Sequence, residues 1–150
     1  MDDIINIIKS NQLFDNIREE EIKQIIKCSN AKVVEYENNQ VVFQKDDIIK
    51  NLGIIIGGQL NLISQKYSGA RVIVTTLEQN DLFGEALAFS TFNKAPYDLA
   101  SSGRSKALIF PHNVFFAMCG EACVFHKALI GNMLSILSDK IESIFPISAL

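Results

Sequence analysis

The sequence predicts an α+β fold: a small antiparallel β-barrel or jelly roll with N-terminal helices before it and one long C-terminal helix after it. Three observations carry this. Residues 31–110 break into short apolar runs separated by turn residues, the pattern of a closed all-β unit and not of alternating strands and helices. The first thirty residues carry apolar positions at helical spacing. The stretch from Glu121 to Phe145 carries a heptad seam. The 150 residues make one domain by length, divided into a helical lead-in (1–30), the barrel (31–110) and the closing helices (111–145).

In the lead-in, D-D-I-I-N-I-I-K-S offers Asp2 or Asp3 as an N-cap, with Ile4, Ile5, Ile7 and Ile8 on one side. A second helix fits R-E-E-E-I-K-Q-I-I-K-C, with three glutamates in the first turn, where the helix dipole favours them. From Ala31, A-K-V-V-E-Y and V-V-F-Q read as two strands joined by E-N-N-Q. N-L-G-I-I-I and Q-L-N-L-I-S-Q read as a hairpin turning at Gly57-Gly58, since adjacent glycines between apolar runs suit a turn with positive φ. K-Y-S-G-A is a further turn and R-V-I-V-T-T-L a further strand; two more strands fall at 97–101 and 105–110. Pro111 suits a first helical position.

In the long helix Ile130, Leu134, Leu137, Ile141 and Ile144 follow one another at spacings of 4, 3, 4 and 3, an a/d seam. A second apolar stripe, Leu129, Met133 and Ile136, lies beside it. A helix with two adjoining apolar faces packs on its own barrel and on a partner, so the expectation is a homodimer. Pro146 ends or kinks the helix near Phe145.

Charge and composition exclude several classes. The net charge of −3 with no basic run lacks the positive footprint of a nucleic-acid binder. No apolar run reaches the roughly 18–20 residues of a membrane helix, and the acidic start M-D-D-I-I-N-I-I-K is unlike a secretory signal, so a cytoplasmic protein is expected. Cys28, Cys119 and Cys123 are read as buried thiols packing as small hydrophobes. No cofactor or metal is expected. A cupin-type enzyme needs histidines on strands, and neither His112 nor His126 lies on a predicted strand. Ser101-Ser102-Gly103 reads as a turn without the context of a nucleophile elbow. The chain is therefore not read as an enzyme.

One stretch stands apart. N-D-L-F-G-E-A-L-A-F-S, residues 80–90, sets a carboxylate inside an apolar run just after a turn. A glycine lets a ligand approach the main chain, and a carboxylate in an apolar pocket orients a hydroxyl or amide.

A helical lead-in, a small barrel with Gly58 in its hairpin, D-L-F-G-E-A, then I-F-P-H-N-V-F-F-A-M-C and a seam-bearing helix resemble the cyclic-nucleotide-binding-like sensor domain of the Crp/Fnr family of bacterial transcription regulators. The likeness covers about 13–145. It implies that Gly84 and Glu85 stand where nucleotide binders bring main chain and carboxylate to the ligand, with Phe83, Ala86 and Leu87 around them. It also implies that an effector binds between barrel and long helix, against Leu129, Asn132, Met133 and Ile136. Nucleotide binders in the family clamp the cyclic phosphate with Arg-Ser or Arg-Thr; in S-T-F-N-K-A-P-Y-D-L, Ala95 and Pro96 stand there. Lys94 supplies a point charge without the planar fork. Losing a bidentate clamp costs about two to four decades of affinity, so cyclic AMP is not the expected effector; a small apolar or aromatic acid is. The family's glycines in the first two turns are replaced by Asn38-Asn39 and Lys45-Asp46-Asp47, of which Asn tolerates left-handed backbone. DNA contact belongs to a C-terminal helix-turn-helix in the family, and no such motif precedes Leu150. The alternatives are a ligand-free dimerisation module and a haem or redox sensor with His112 or His126 as axial ligand.

Overall fold

A computed structural model describes residues 1–115 and 124–144. In chain order the elements are α1 (Asp2–Ile8), a 3-10 turn (Gln12–Phe14), α2 (Glu19–Cys28), β1 (Lys32–Tyr36), β2 (Val41–Phe43), β3 (Asn51–Gln65), β4 (Arg71–Leu77), β5 (Leu82–Phe83), α3 (Glu85–Ala88), β6 (Asp98–Pro111), a second 3-10 turn (His112–Phe115) and α4 (Val124–Ile144). The described residues form two compact units, residues 30–112 and residues 1–29 with 113–115 and 124–144. Cys119, Gly120, Cys123, Pro146 and the side chain of Ile144 lie outside the described residues.

In the helical unit, α1 buries Ile5 and Ile8, and α2 buries Ile22, Ile25 and Ile26. Neither Asp2 nor Asp3 caps α1, which starts at Asp2 with Met1 as its cap. Asp2 instead meets Lys23 of α2 at 2.9 Å, and that hydrogen-bonded ammonium holds the Asp2 carboxyl below its ordinary range. At α2, Glu21 Oε1 accepts the Arg18 backbone N–H at 3.0 Å, satisfying one donor at the helix start. Cys28 is exposed at the end of α2, not buried as its type suggests. Asn132 of α4 donates from Nδ2 to the carbonyls of Leu13 and Asp15 at 2.9 and 2.8 Å, and Gln12 donates to Asp139 at 3.1 Å. These bonds tie the long helix to the first 3-10 turn.

In the barrel unit every strand pairing is antiparallel, in the order β1-β6-β3-β4, with β2 on β6 and β5 on β3. The expected hairpin at Gly57-Gly58 is absent. β3 runs through both glycines without turning, and β6 pairs with it on both sides of them, from Asn51↔Pro111 to Ile63↔Asp98. The two strands expected at 97–101 and 105–110 are likewise one strand, β6. Register shifts fall on both sides of Gly57, and Gly58 and Gly103 both have positive φ. The glycines thus make a bulge that bends a long strand, and paired glycines between apolar runs do not distinguish a bulge from a turn. Pro111 ends β6 instead of opening a helix; the 3-10 turn begins one residue later.

The bend divides the sheet into two halves. One holds β1, β5 and the adjoining ends of β3 and β6; the other holds β2, β4 and the remaining ends. A single core joins them: Tyr36, Ile55, Phe83 and Ala107 from the first meet Leu60 and Leu99 from the second. The turns carry the strain where the sequence permits it. Asn39 (φ 63°) and Asp46 (φ 74°) are left-handed at the first two turns of the barrel, which lack glycine. Burial raises the hydroxyl pKa of Tyr36 and of Tyr97. An acid held neutral in the fold binds its proton more tightly than in the unfolded chain. Stability is therefore expected to be complete below about pH 10 and to fall as pH rises through the folded values. Urea midpoints at pH 8, 10 and 11 check this, and Tyr36→Phe should flatten the slope.

Candidate functional site

The stretch around Gly84 is shaped by close approach. Gly84 has φ 81°, and a Cβ there would sit 2.8 Å from the Asn51 carbonyl oxygen, so both backbone conformation and space demand glycine. Its carbonyl accepts the N–H groups of Leu87 (3.2 Å) and Ala88 (2.8 Å), closing the single turn α3. Phe83 is buried on β5 opposite Gly53, where a Cβ would meet the Phe83 ring at 2.3 Å. Glu85 is only 2 % exposed. Ala86 is exposed and Leu87 half-buried. A carboxylate buried to this degree, one residue beyond a main chain with no side chain in the way, is suited to orienting a polar group.

The return segment is held by a clamp that no sequence pattern announced. The Ala95 N–H donates to the Asp47 carbonyl at 2.9 Å, its carbonyl accepts the Asp46 N–H at 2.7 Å, and the Ile49 N–H donates to Asn93 at 2.7 Å. Ile48 and Lys94 form a β-bridge. Ala95 is 1 % exposed and packs with Ile49 and Ala88, while Lys94 and Pro96 are exposed. The Asp47 carboxylate accepts the Gln44 N–H at 2.8 Å, and Asp98 accepts the Lys45 N–H at 2.7 Å and an Arg71 N–H at 2.9 Å. The Asp47 carboxylate closes the turn on itself and Asp98 fastens it to β6, roles that the local sequence does not advertise.

Position 95 therefore faces the cluster of Ile49 and Ala88. The Ala95 N–H is spent within the fold, and Pro96 has no N–H to give. An Ala95→Arg substitution buries a guanidinium in an apolar cluster, and a cost of about 3 kcal/mol or more is expected. It should lower the melting temperature without creating cyclic AMP binding, as differential scanning fluorimetry with and without the nucleotide will show.

On α4, Leu129, Met133 and Ile136 are buried, whereas Leu134 and Ile141 are 61 % and 63 % exposed and Ile130 is 37 % exposed. Leu137 is half-buried. Asn132 has committed amide hydrogens to Leu13 and Asp15, which leaves only Oδ1 to offer. His112 hydrogen-bonds through Nδ1 to the Lys50 carbonyl at 2.8 Å. No group of three His, Cys, Asp or Glu suited to a metal occurs among the described residues, and no helix among them is long and apolar enough to cross a membrane.

Residues 33–122 match the family described as the cyclic nucleotide-binding domain. The chain belongs to that family. No curated protein matches its sequence. Solved structures share the fold at low identity. The N-terminal domain of a transcriptional regulator from Streptomyces coelicolor A3(2) superposes with a TM-score of 0.77 at 15% identity, over 95% of this chain and 97% of that one. The sensor domain of the transcriptional regulator DNR from Pseudomonas aeruginosa gives 0.75 at 14%, over 95% and 91%. The catabolite activator protein of Thermus thermophilus gives 0.74 at 15%, over 89% of this chain but 60% of that protein. The chain is thus a cyclic-nucleotide-binding-like domain whose fold is that of regulator sensor domains. It spans 97% and 91% of the first two of these structures and 60% of the activator.

Proposed function

We propose that this chain is the effector-sensing and dimerising domain of a Crp/Fnr-type transcription regulator, and that its effector is a small molecule other than cyclic AMP. DNA contact would belong to a further C-terminal domain. The observation that carries this is the state of residues 83–96, the cassette that holds Gly84, Glu85 and Ala95. Gly84 and Glu85 keep the close-approach backbone and the buried carboxylate, while Ala95 is packed away and Pro96 lacks a donor. A site with the hydroxyl-orienting half and without the phosphate-clamping half favours a non-nucleotide ligand. The effector would be recognised around Phe83, Gly84, Glu85, Ala86 and Leu87. The exposed seam on α4 supports pairing with a second copy.

The test is a thermal-shift titration of the chain with cyclic AMP beside a panel of small aromatic and aliphatic acids. A ligand at 100 times its dissociation constant adds about 2.7 kcal/mol of stability, roughly 5–10 °C for a chain of this length. Cyclic AMP is expected to give no shift at 100 µM; a saturable shift with it would overturn the reading. The packing of Leu60 and Leu99, both fully buried, and of Ala95 on Ile49 and Ala88 favours a second reading: a dimerisation module whose 83–96 segment takes no ligand. A dimer that no acid in the panel stabilises would support that reading instead.

A further inference from the structure

The barrel unit has a second concavity, which shares Phe83 alone with the effector site proposed above. It is a cavity of about 460 Å³ at the end of the barrel beside the 47–52 segment, within the range of small-molecule sites. Its apolar wall is made by Val34, Val42, Phe43, Phe83 and Ile109, and its mouth by Ile48, Lys50 and Asn51. The register explains why this wall faces inward. Val34 lies opposite Ala107, Ile109 opposite Gly53, and Gly53 opposite Phe83, so all share the inner face with the core residues Ile55 and Ala107. Phe83 and Ile109 close over Gly53, and Val34, Val42, Phe43 and Ile109 remain half-buried although they point into the barrel.

The mouth is polar and its charges are not equivalent. The carboxylate of Asp47 is engaged by the Gln44 N–H of its own turn. Lys50 forms no ion pair among the described residues, and its own carbonyl is taken by His112. Asp47 keeps its negative charge within its own turn, and the Lys50 ammonium is the cationic group of the lining, above an apolar pocket floored by Phe83. We propose that this barrel-end cavity is a binding site for a small aromatic anion, with the ring against Phe43, Phe83 and Ile109 and the anionic head at Lys50. The site shares Phe83 with the effector site proposed above and uses none of residues 84–96.

The probes are 1-anilinonaphthalene-8-sulfonate, a fluorescent aromatic anion, and N-phenyl-1-naphthylamine, the same body without the charge. Saturable fluorescence enhancement at one probe per chain is expected for the sulfonate. Ile48→Glu, at a position 57 % exposed, should weaken the sulfonate and spare the neutral probe. Lys50→Gln should weaken the sulfonate by about two- to fivefold, the range of an exposed ion pair. Val42→Phe should abolish both if its circular dichroism spectrum is unchanged; should it unfold, the two rim variants decide alone. Ala86→Glu and Leu134→Asp report on the cassette and on the α4 seam. Enhancement that follows either of them and ignores Ile48 and Lys50 overturns the proposal. If it follows Ala86, the sensor reading gains and only this site is lost. No enhancement of either probe overturns the proposal and leaves the cassette untouched.

Discussion

A Gly58→Ala protein is expected to lose about 2–4 kcal/mol of folding stability, from a left-handed penalty of about 1–2 kcal/mol and an overpacking cost of similar or greater size. Gly58 has φ 75°, and a Cβ there would lie 2.5 Å from the Arg104 carbonyl oxygen, 2.5 Å from Ser105 Oγ and 2.8 Å from Ser105 Cα. Two of these three are backbone atoms of β6, which cannot swing aside. Ser105 is also committed: its hydroxyl donates to the Gln59 carbonyl at 2.9 Å and accepts the Gln59 N–H at 3.2 Å. The added methyl therefore strikes the point where the bulge is fastened. Gly57→Ala is the control, because a Cβ at Gly57 meets nothing within 4 Å and its φ is not in the left-handed region. In thermal unfolding the Gly58 variant should melt about 5–15 °C below the parent and the Gly57 variant close to it. Equal losses at both positions would show that the strand does not bend as described.

That contrast also marks how far the sequence could be read. Helix α2, strands β1 and β4, and the turn at 66–70 follow directly from local pattern, because each is set by residues close in sequence. The glycine pair at 57–58 was visible but its meaning was not. Whether two glycines turn a chain or bulge it depends on where the partner strand comes from, and β6 lies some fifty residues away. Left-handed backbone at Asn39 and Asp46 was legible in part, since Asn and Asp tolerate it where glycine is missing. In the cassette, Gly84 and Glu85 were legible from the unusual setting of a carboxylate in an apolar run. The packing of Ala95 against Ile49 and Ala88 was not, because an alanine carries no pattern and its partners arrive through the 46–49 clamp. The barrel-end cavity was invisible for the same reason: its wall is gathered from β1, β2, β5 and β6, and only the register brings it together.

The seam on α4 leads to the second large effect. Two apolar stripes share one helix, and the fold treats them differently. Leu129, Met133 and Ile136 are buried, while Leu134 and Ile141 keep more than half of their surface in water. A heptad seam left exposed on a helix whose other stripe is satisfied is costly to a monomer and suited to a two-fold partner, in which each residue meets its own counterpart or a near neighbour. The wild-type chain is expected to run in light scattering at twice its mass of 16.7 kDa. Leu134→Asp with Ile141→Asp removes four seam side chains per dimer at about 1.5–3 kcal/mol each, about 6–12 kcal/mol in all. That is enough to carry a micromolar dimer, worth about 8.2 kcal/mol, to monomer. Measured at a concentration where both proteins are monomeric, the melting temperature should be unchanged, because neither side chain is buried in the chain itself. Leu129→Asp is the opposite case: it places a carboxylate at a position 1 % exposed and should unfold the helical unit whatever the oligomeric state. A wild-type chain that stays monomeric at hundreds of micromolar would remove the seam from the proposal, and the exposed stripe would then need a different partner.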